Sequence, residues 1–411
     1  MKYCYNISFA LALLTAAAIS CKKNNPPPSP DNPGSFKVTA SNGYGSGEYT
    51  SGDTVHVFSK EYSANQLFGS WTGTDVSLLN APNEWHTWFI MPERDVAITG
   101  NVITPASFTL KYEEVQGKLR AKPVYYFFPD NHKGIVYLLH GTSGSAANLV
   151  ASYEWMELIK DLVNDHFAVI ITESEEATAN ADLNNDGSLR WNNLPWDTDK
   201  NVDFANIKII TSNFYDRKLT DAGKPRYSIG MSNGGNFSTA LATLYNFKAG
   251  VSYCAPSGNN IAQTTTTPIQ FCMARFDNNS SVGPVGNANA LDNSKTMTGR
   301  GICSRYFINE RSPLYPERFA RTGEINLALS AEIFNELKAQ HLIDDKNYFI
   351  GTADDLIAAY SASPASFPKI NSLSFSQKIV VTGQVGLAVS DHKMYSDYNR
   401  ATLKFLNRQC R

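Results

Sequence analysis

The chain has 411 residues, enough for two or three domains, and its 42% hydrophobic and 18% charged residues are ordinary for a globular protein. A formal net charge of −2, with no Lys/Arg-rich run, excludes a broad basic face for nucleic acid. No cysteine spacing suggests a zinc site.

Met1–Ser20 has the pattern of an export signal. Lys2 precedes an apolar run, Ile7–Ile19, too short to span a bilayer. The run ends in Ala18-Ile19-Ser20-Cys21, which resembles a bacterial lipoprotein signal. The resemblance implies cleavage before Cys21, lipid on its sulfur, and a place in the cell envelope, periplasmic or at the surface. A plain secretory signal with an incidental cysteine is the alternative. Residues 21–34 contain Pro26-Pro27-Pro28-Ser29-Pro30 and form a semi-rigid linker. Export would place Cys254, Cys272, Cys303 and Cys410 where disulfides persist, with three pairings open.

Residues 35–103 are expected to form a small all-β module. Phe36–Ala40, Thr54–Phe58, His86–Met91 and Val96–Val102 alternate with turn residues. Gly45–Val55, Phe68–Gly73 and Phe89–Val96 together are similar to a divergent internalin B repeat. That similarity implies a β-grasp-like spacer or adhesion module without catalysis. Trp71, Trp85 and Trp88 either fill its core or form a ligand platform.

From about residue 104 to 411 the pattern is α/β. Phe108–Tyr112 and Lys118–Phe128 read as an opening antiparallel pair. Gly134–His140, Phe167–Thr172, Tyr227–Met231, Gly250–Cys254 and Ile269–Met273 are apolar strands separated by helical patterns. Such strands predict a mostly parallel sheet with helices on both faces. Lys378–Thr382 reads as the last strand and Tyr395–Leu406 as a terminal helix.

Gly230-Met231-Ser232-Asn233-Gly234 matches G-x-S-x-G between a strand and a helix. In that context Ser232 sits on a sharp turn, and the glycines remove Cβ atoms that would collide with their neighbours. A serine needs a base. Of seven histidines, His392 is the one that follows the last strand candidate, in Val389-Ser390-Asp391-His392-Lys393. Asp277, just past the strand Ile269–Met273, is the expected orienting acid, ahead of Asp292, Asp354 and Asp355. The backbone N–H of Asn233, with one from Gly141 or Thr142 after Gly134–His140, would make an oxyanion hole.

Leu138-Leu139-His140-Gly141-Thr142-Ser143-Gly144, Gly230–Gly235, Asp277 and His392 together resemble an α/β-hydrolase. The Gly-Met-Ser-Asn-Gly-Gly form is similar to the feruloyl esterase and polyhydroxybutyrate depolymerase-like group. The resemblance implies a serine esterase acting through a Ser-His-Asp triad on a polysaccharide-linked ester, a polyester or a small ester. A serine peptidase on the same scaffold and a non-catalytic surface adhesin are the alternatives. Ala274-Arg275-Phe276-Asp277 lacks the group's usual glycine, and Asn278–Phe375 is longer than usual.

Two further stretches carry expectations. Asp182, Asn184 and Asp186 resemble the start of a calcium loop, but Asn193 stands where the closing Glu belongs, so an Asx-rich turn is the competing reading. No other cofactor is expected. Trp191 and Trp196 either contact substrate or pack against the Asn278–Phe375 insertion.

Overall fold

The computed structural model describes residues 34–410, so the signal and lipidation expectations, with Cys21, lie outside it. Seven short strands come first: β1 (Ser35–Ser41), β2 (Gly43–Tyr44), β3 (Gly47–Thr50), β4 (Thr54–Ser59), β5 (Leu67–Thr72), β6 (His86–Ile90) and β7 (Val96–Ile103). They form two sheets, β3-β1-β7-β5 and β2-β4-β6. The period of two along β6 divides its residues: Thr87 and Phe89 are buried, whereas Trp88 and Ile90 are exposed. Val38, Val57, Phe68, Trp71, Trp85, Phe89 and Ile98 share one core. Trp71 and Trp85 are therefore packing residues, and Trp88 alone of the three faces out.

The second region contains β8 (Lys111–Gln116), β9 (Ala121–Phe127), β10 (Gly134–Leu139), β11 (Phe167–Thr172), β12 (Arg226–Met231), β13 (Ala249–Tyr253), β14 (Ile269–Ala274) and β15 (Ser304–Asn309). They make one eight-stranded sheet, ordered β15-β14-β13-β12-β10-β11-β9-β8. Strands β10 to β15 run parallel, and β8 and β9 are antiparallel. The architecture is the mixed α/β one expected.

The helices that cover this sheet are α1 (Ala146–Ala151), α2 (Tyr153–Asn164), α3 (Glu175–Ala179), α4 (Val202–Asp216), α5 (Asn233–Leu244), α6 (Asn259–Thr264) and α7 (Gly283–Gly299). Then come α8 (Leu327–Ala339), α9 (Ala353–Ala362), α10 (Pro368–Ser372), α11 (Phe375–Ala388) and α12 (Asn399–Arg408). Alternate residues of β10 enter opposite cores: Ile135, Tyr137 and Leu139 meet α4 and α5, while Val136 and Leu138 meet α2 and α12. That double burial is why the strand is apolar without a break.

Three expectations change. Lys378–Thr382 is helical, inside α11. Its β-branched run misleads, but Ser374 and Gln377 form a capping box, and Val381, Val385 and Val389 line one buried face at helical spacing. The last strand is instead β15, a half-polar edge strand. Within Asn278–Phe375, α7 and β15 belong to the sheet. The added piece is the later part, whose core of Leu314, Phe319, Ile333, Phe349, Leu356 and Ile370 extends into α11. Cys303 and Cys410 are joined, and Cys254 and Cys272 are free.

The β module is docked on the α/β region rather than held away from it. Tyr315 from the added piece enters the module's core. The Arg321 guanidinium lies 3.6 Å above the Trp85 ring and pairs with the buried Glu154 carboxylate. Glu84 accepts from the backbone N–H of Arg400 and Ala401 at the start of α12. Burial alone would raise the Asp397 carboxyl, but the 2.6 Å bond from His86 and the nearby arginine charges hold it below the usual range. With His86 Nδ1 donating there, its Nε2 faces His56 at 3.0 Å and the His56 Nε2 faces Tyr348 at 3.3 Å. Burial, with a smaller contribution from His86, lowers His56 to about 3, so the His56 ring is neutral at ordinary pH. A shared core predicts shared unfolding. Trp85→Ala should cost about 3–5 kcal/mol in urea denaturation while leaving one cooperative transition. An early separate transition for the module would contradict the docking.

Candidate active site

Strand β12 delivers Ser232 to the carboxyl edge of the sheet, where it is the N-cap of α5. Its backbone has φ 58° and ψ −127°, a strained conformation outside the ordinary wells. Two glycines allow it. A Cβ on Gly230 would lie 2.0 Å from the Gly234 carbonyl oxygen, and one on Gly234 would lie 2.2 Å from that of His140. The Ser232 N–H is held by the Tyr253 carbonyl at 2.8 Å. Its hydroxyl caps nothing, although it stands at a helix N-terminus. The helix N-terminus favours negative charge near this atom.

The other two expected residues meet at the same edge. β12 and β13 end in register at Met231 and Tyr253, and β14 ends at Ala274, three residues before Asp277. The buried Asp277 carboxylate accepts a hydrogen bond from His392 Nδ1–H at 2.7 Å. With Nδ1 the donor, Nε2 is the lone-pair nitrogen. It is buried and has no hydrogen-bond partner among the described residues. No hydrogen bond joins it to Ser232 Oγ in this structure.

Loop contacts not foreseen from the sequence hold the pair together. Asp391 accepts from the His392 N–H at 2.6 Å and the Asn278 N–H at 3.3 Å, which ties the acid loop to the base loop. Ser390 accepts from the Arg275 N–H at 2.8 Å and donates to the Asn309 carbonyl at 2.7 Å. His392 therefore follows α11 and is pinned against the ends of β14 and β15, not carried by a strand of its own. The Asp391 side chain was readable only as the neighbour of His392.

The loop after β10 passes Ser232 closely: a Cβ on Gly141 would be 3.2 Å from the Ser232 Cβ. His140 fixes this loop. Its Nδ1 donates to the Gly141 carbonyl at 2.6 Å, and its Nε2 accepts the Ser174 N–H at 3.0 Å. Burial lowers this imidazole to about 4, so it is neutral at ordinary pH. The Gly144 N–H bonds the Gly141 carbonyl and the Ser143 N–H bonds the Leu189 carbonyl. No acceptor takes the Gly141, Thr142 or Asn233 N–H among the described residues.

Trp191 is not available to substrate. It is 2% exposed, stacks on Phe237 at 4.7 Å, and donates its indole N–H to the His140 carbonyl. The Asn233 side chain brackets its backbone from both sides. Trp191 thus braces the loop after β10 through the His140 carbonyl. Trp196 is exposed and touches Phe204 edge-on at 6.1 Å. Asp182 accepts from the Asp186 and Gly187 N–H groups, Asn184 accepts from the Asp186 N–H, and the Asp186 carboxylate takes Arg190. Those are the bonds of an Asx turn.

Cys254 is the one rival nucleophile at this place. Its sulfur lies within 4.8 Å of the facing Asp277 and His392 atoms. Burial pushes its thiol well above the usual range, and it donates to the Lys393 carbonyl at 3.2 Å. A buried protonated thiol is a packing group, not an attacking one.

No protein-family model matches the chain, and no curated protein matches it. Among solved structures it is similar to a ferulic acid esterase at 12% identity and TM-score 0.36, covering 49% of this chain and 89% of that one. It is also similar to an acetyl xylan esterase from Aspergillus awamori at 16% identity and TM-score 0.34, covering 47% and 81%. An acylaminoacyl peptidase from Pyrococcus horikoshii gives 10% identity and TM-score 0.37, covering 63% and 44%.

Two outcomes are expected from this geometry. Gly234→Ala should abolish soluble folded protein or unfold at much lower temperature, because its new methyl meets the backbone carbonyls of both Leu139 and His140; wild-type behaviour in circular dichroism melts would contradict this tight turn. The second concerns His140. Its folded value lies below the unfolded value of about 6.5, so its stabilising contribution is complete above that pH and is lost as pH falls toward about 4. Urea titrations across that window should show a loss on the order of 3 kcal/mol that is absent in His140→Asn. Identical pH slopes would contradict the assignment.

Proposed function

We propose that the protein is an extracytoplasmic serine hydrolase, lipid-anchored through Cys21, that cleaves carboxylic esters on a polysaccharide or polyester through an acyl-enzyme. The observation that carries this reading is the Asp277–His392 pair, which leaves Nε2 bare at the sheet edge that also holds the strained Ser232. Ser232 Oγ turns toward Nε2, gives it a proton and attacks the ester carbonyl carbon. The oxygen that becomes negative is received by the Asn233 N–H and by the Thr142 or Gly141 N–H. Nε2–H then protonates the departing alkoxide as the carbon–oxygen bond breaks. Water then gives a proton to the same nitrogen as its oxygen bonds the acyl carbon; the acyl carbon–Oγ bond breaks, the acid leaves, and Nε2–H returns the proton to Ser232 Oγ. Asp277 keeps the proton on Nδ1 and stabilises the imidazolium without taking its proton.

The test is hydrolysis of p-nitrophenyl acetate. Ser232→Ala should reduce kcat to background, and Asp277→Asn should lower it by about 10⁴-fold with the fold unchanged. Equal rates for wild type and Ser232→Ala would overturn the reading. Feruloylated or acetylated oligosaccharides should be turned over faster than peptide anilides, and the reverse order would replace the esterase with a peptidase.

A further inference from the structure

The docking of the β module leaves an open cleft of about 560 Å³ between it and the α/β region. One wall is the outer face of β4 and β6, to which His56, His86 and Trp88 contribute. The opposite wall is the edge strand β15 and the helix α12. The volume falls in the range of about 300–1,000 Å³ typical of ligand sites, and domain junctions are a common place for them. Ser232 lies at the end of β12, three strands away from β15. At about 4.8 Å per strand that is roughly 14 Å, so this is a second site.

The chemistry of the cleft follows from which of its groups already have partners. Its carboxylates are occupied: Asp397 by His86, Glu84 by two backbone N–H groups, and Glu310 by Arg275. Two of its cations are not. Arg400 is held by Asp161 and the Phe68 carbonyl, whereas Arg305 and Lys404 line the cleft, are exposed, and make no ion pair or hydrogen bond among the described residues. The side-chain amides of Asn80 and Asn83, also exposed there, are equally uncommitted. Trp88 presents a flat indole that is 39% exposed. A ligand that satisfies all of these has a flat C–H-rich ring for the indole, hydroxyls for the amides, and a carboxylate for the guanidinium fork. The space exceeds a single ring.

We propose that this junction cleft binds a short run of acidic sugar units, with one ring stacked on Trp88 and its carboxylate on Arg305 and Lys404. It would hold an acidic polysaccharide beside the sheet edge, and the binding does not depend on Ser232 being a nucleophile. The probe is tetragalacturonate, measured by calorimetry on the intact protein beside neutral cellotetraose. The acidic tetramer should bind at least about tenfold tighter than the neutral one, with the difference shrinking as salt rises. Trp88→Ala should weaken both ligands about tenfold, and Arg305→Ala should remove the preference for the acidic one. Both residues face solvent, and unchanged melting temperatures will separate lost contacts from lost fold. Equal affinity for the two tetramers, no binding of either, or an unaffected Trp88→Ala would overturn the proposal. So would ferulate binding as tightly as the tetramer, since that would make the cleft a site for aromatic acids.

Discussion

The site depends on a backbone that cannot relax. Ser232 holds a left-handed φ only because Gly230 and Gly234 lack the Cβ atoms that would strike carbonyl oxygens. Strain of this kind costs of order 1–3 kcal/mol and survives where the surroundings over-determine it. Here β12 enters from a doubly covered sheet, α5 leaves through a buried face, and the Tyr253 carbonyl fixes the Ser232 N–H between them. A hydroxyl that is not used as a helix cap, yet stands at a helix N-terminus, is what such a bend provides.

The remaining groups are arranged around that bend by ordinary forces. Parallel pairing puts the ends of β12, β13 and β14 on one edge, so residues distant in sequence become neighbours. Burial then sorts them. The thiol of Cys254 is pushed away from ionisation, His140 is kept neutral as a loop fastener, and the Asp277 carboxylate is paired with His392. The β module adds a second layer of support. Glu84, Trp85 and His86 grip Arg400, Arg321 and Asp397, all close to the segment that follows His392.

Much of this was legible in the sequence. Apolar strands such as Phe167–Thr172 announce a sheet covered on both faces, and Gly230–Gly234, set between a strand pattern and a helix pattern, announces the bend. Elimination among the histidines reached His392, although through a strand at Lys378–Thr382 that is really α11. Four β-branched residues there outweighed the Ser374–Gln377 cap, which is the better signal because it names a helix start. The edge strand β15 escaped notice because Ser304, Arg305 and Asn309 break its apolar run. For Trp191 the sequence leaves open substrate contact and packing against the insertion, because it cannot say which side of a loop an indole faces; the indole's partners, the His140 carbonyl and Phe237, are met only after folding. The docking of the β module was equally hidden, since Trp85 and Arg321 are far apart in the chain.

The proposed function requires that one hydroxyl, that of Ser232, be made reactive by His392. A fluorophosphonate probe followed by peptide mapping addresses it directly. A single adduct on Ser232 is expected, formed at least about 10²-fold more slowly in His392→Ala. An adduct on another residue, or labelling of Ser232 at the same rate without the imidazole, would contradict it.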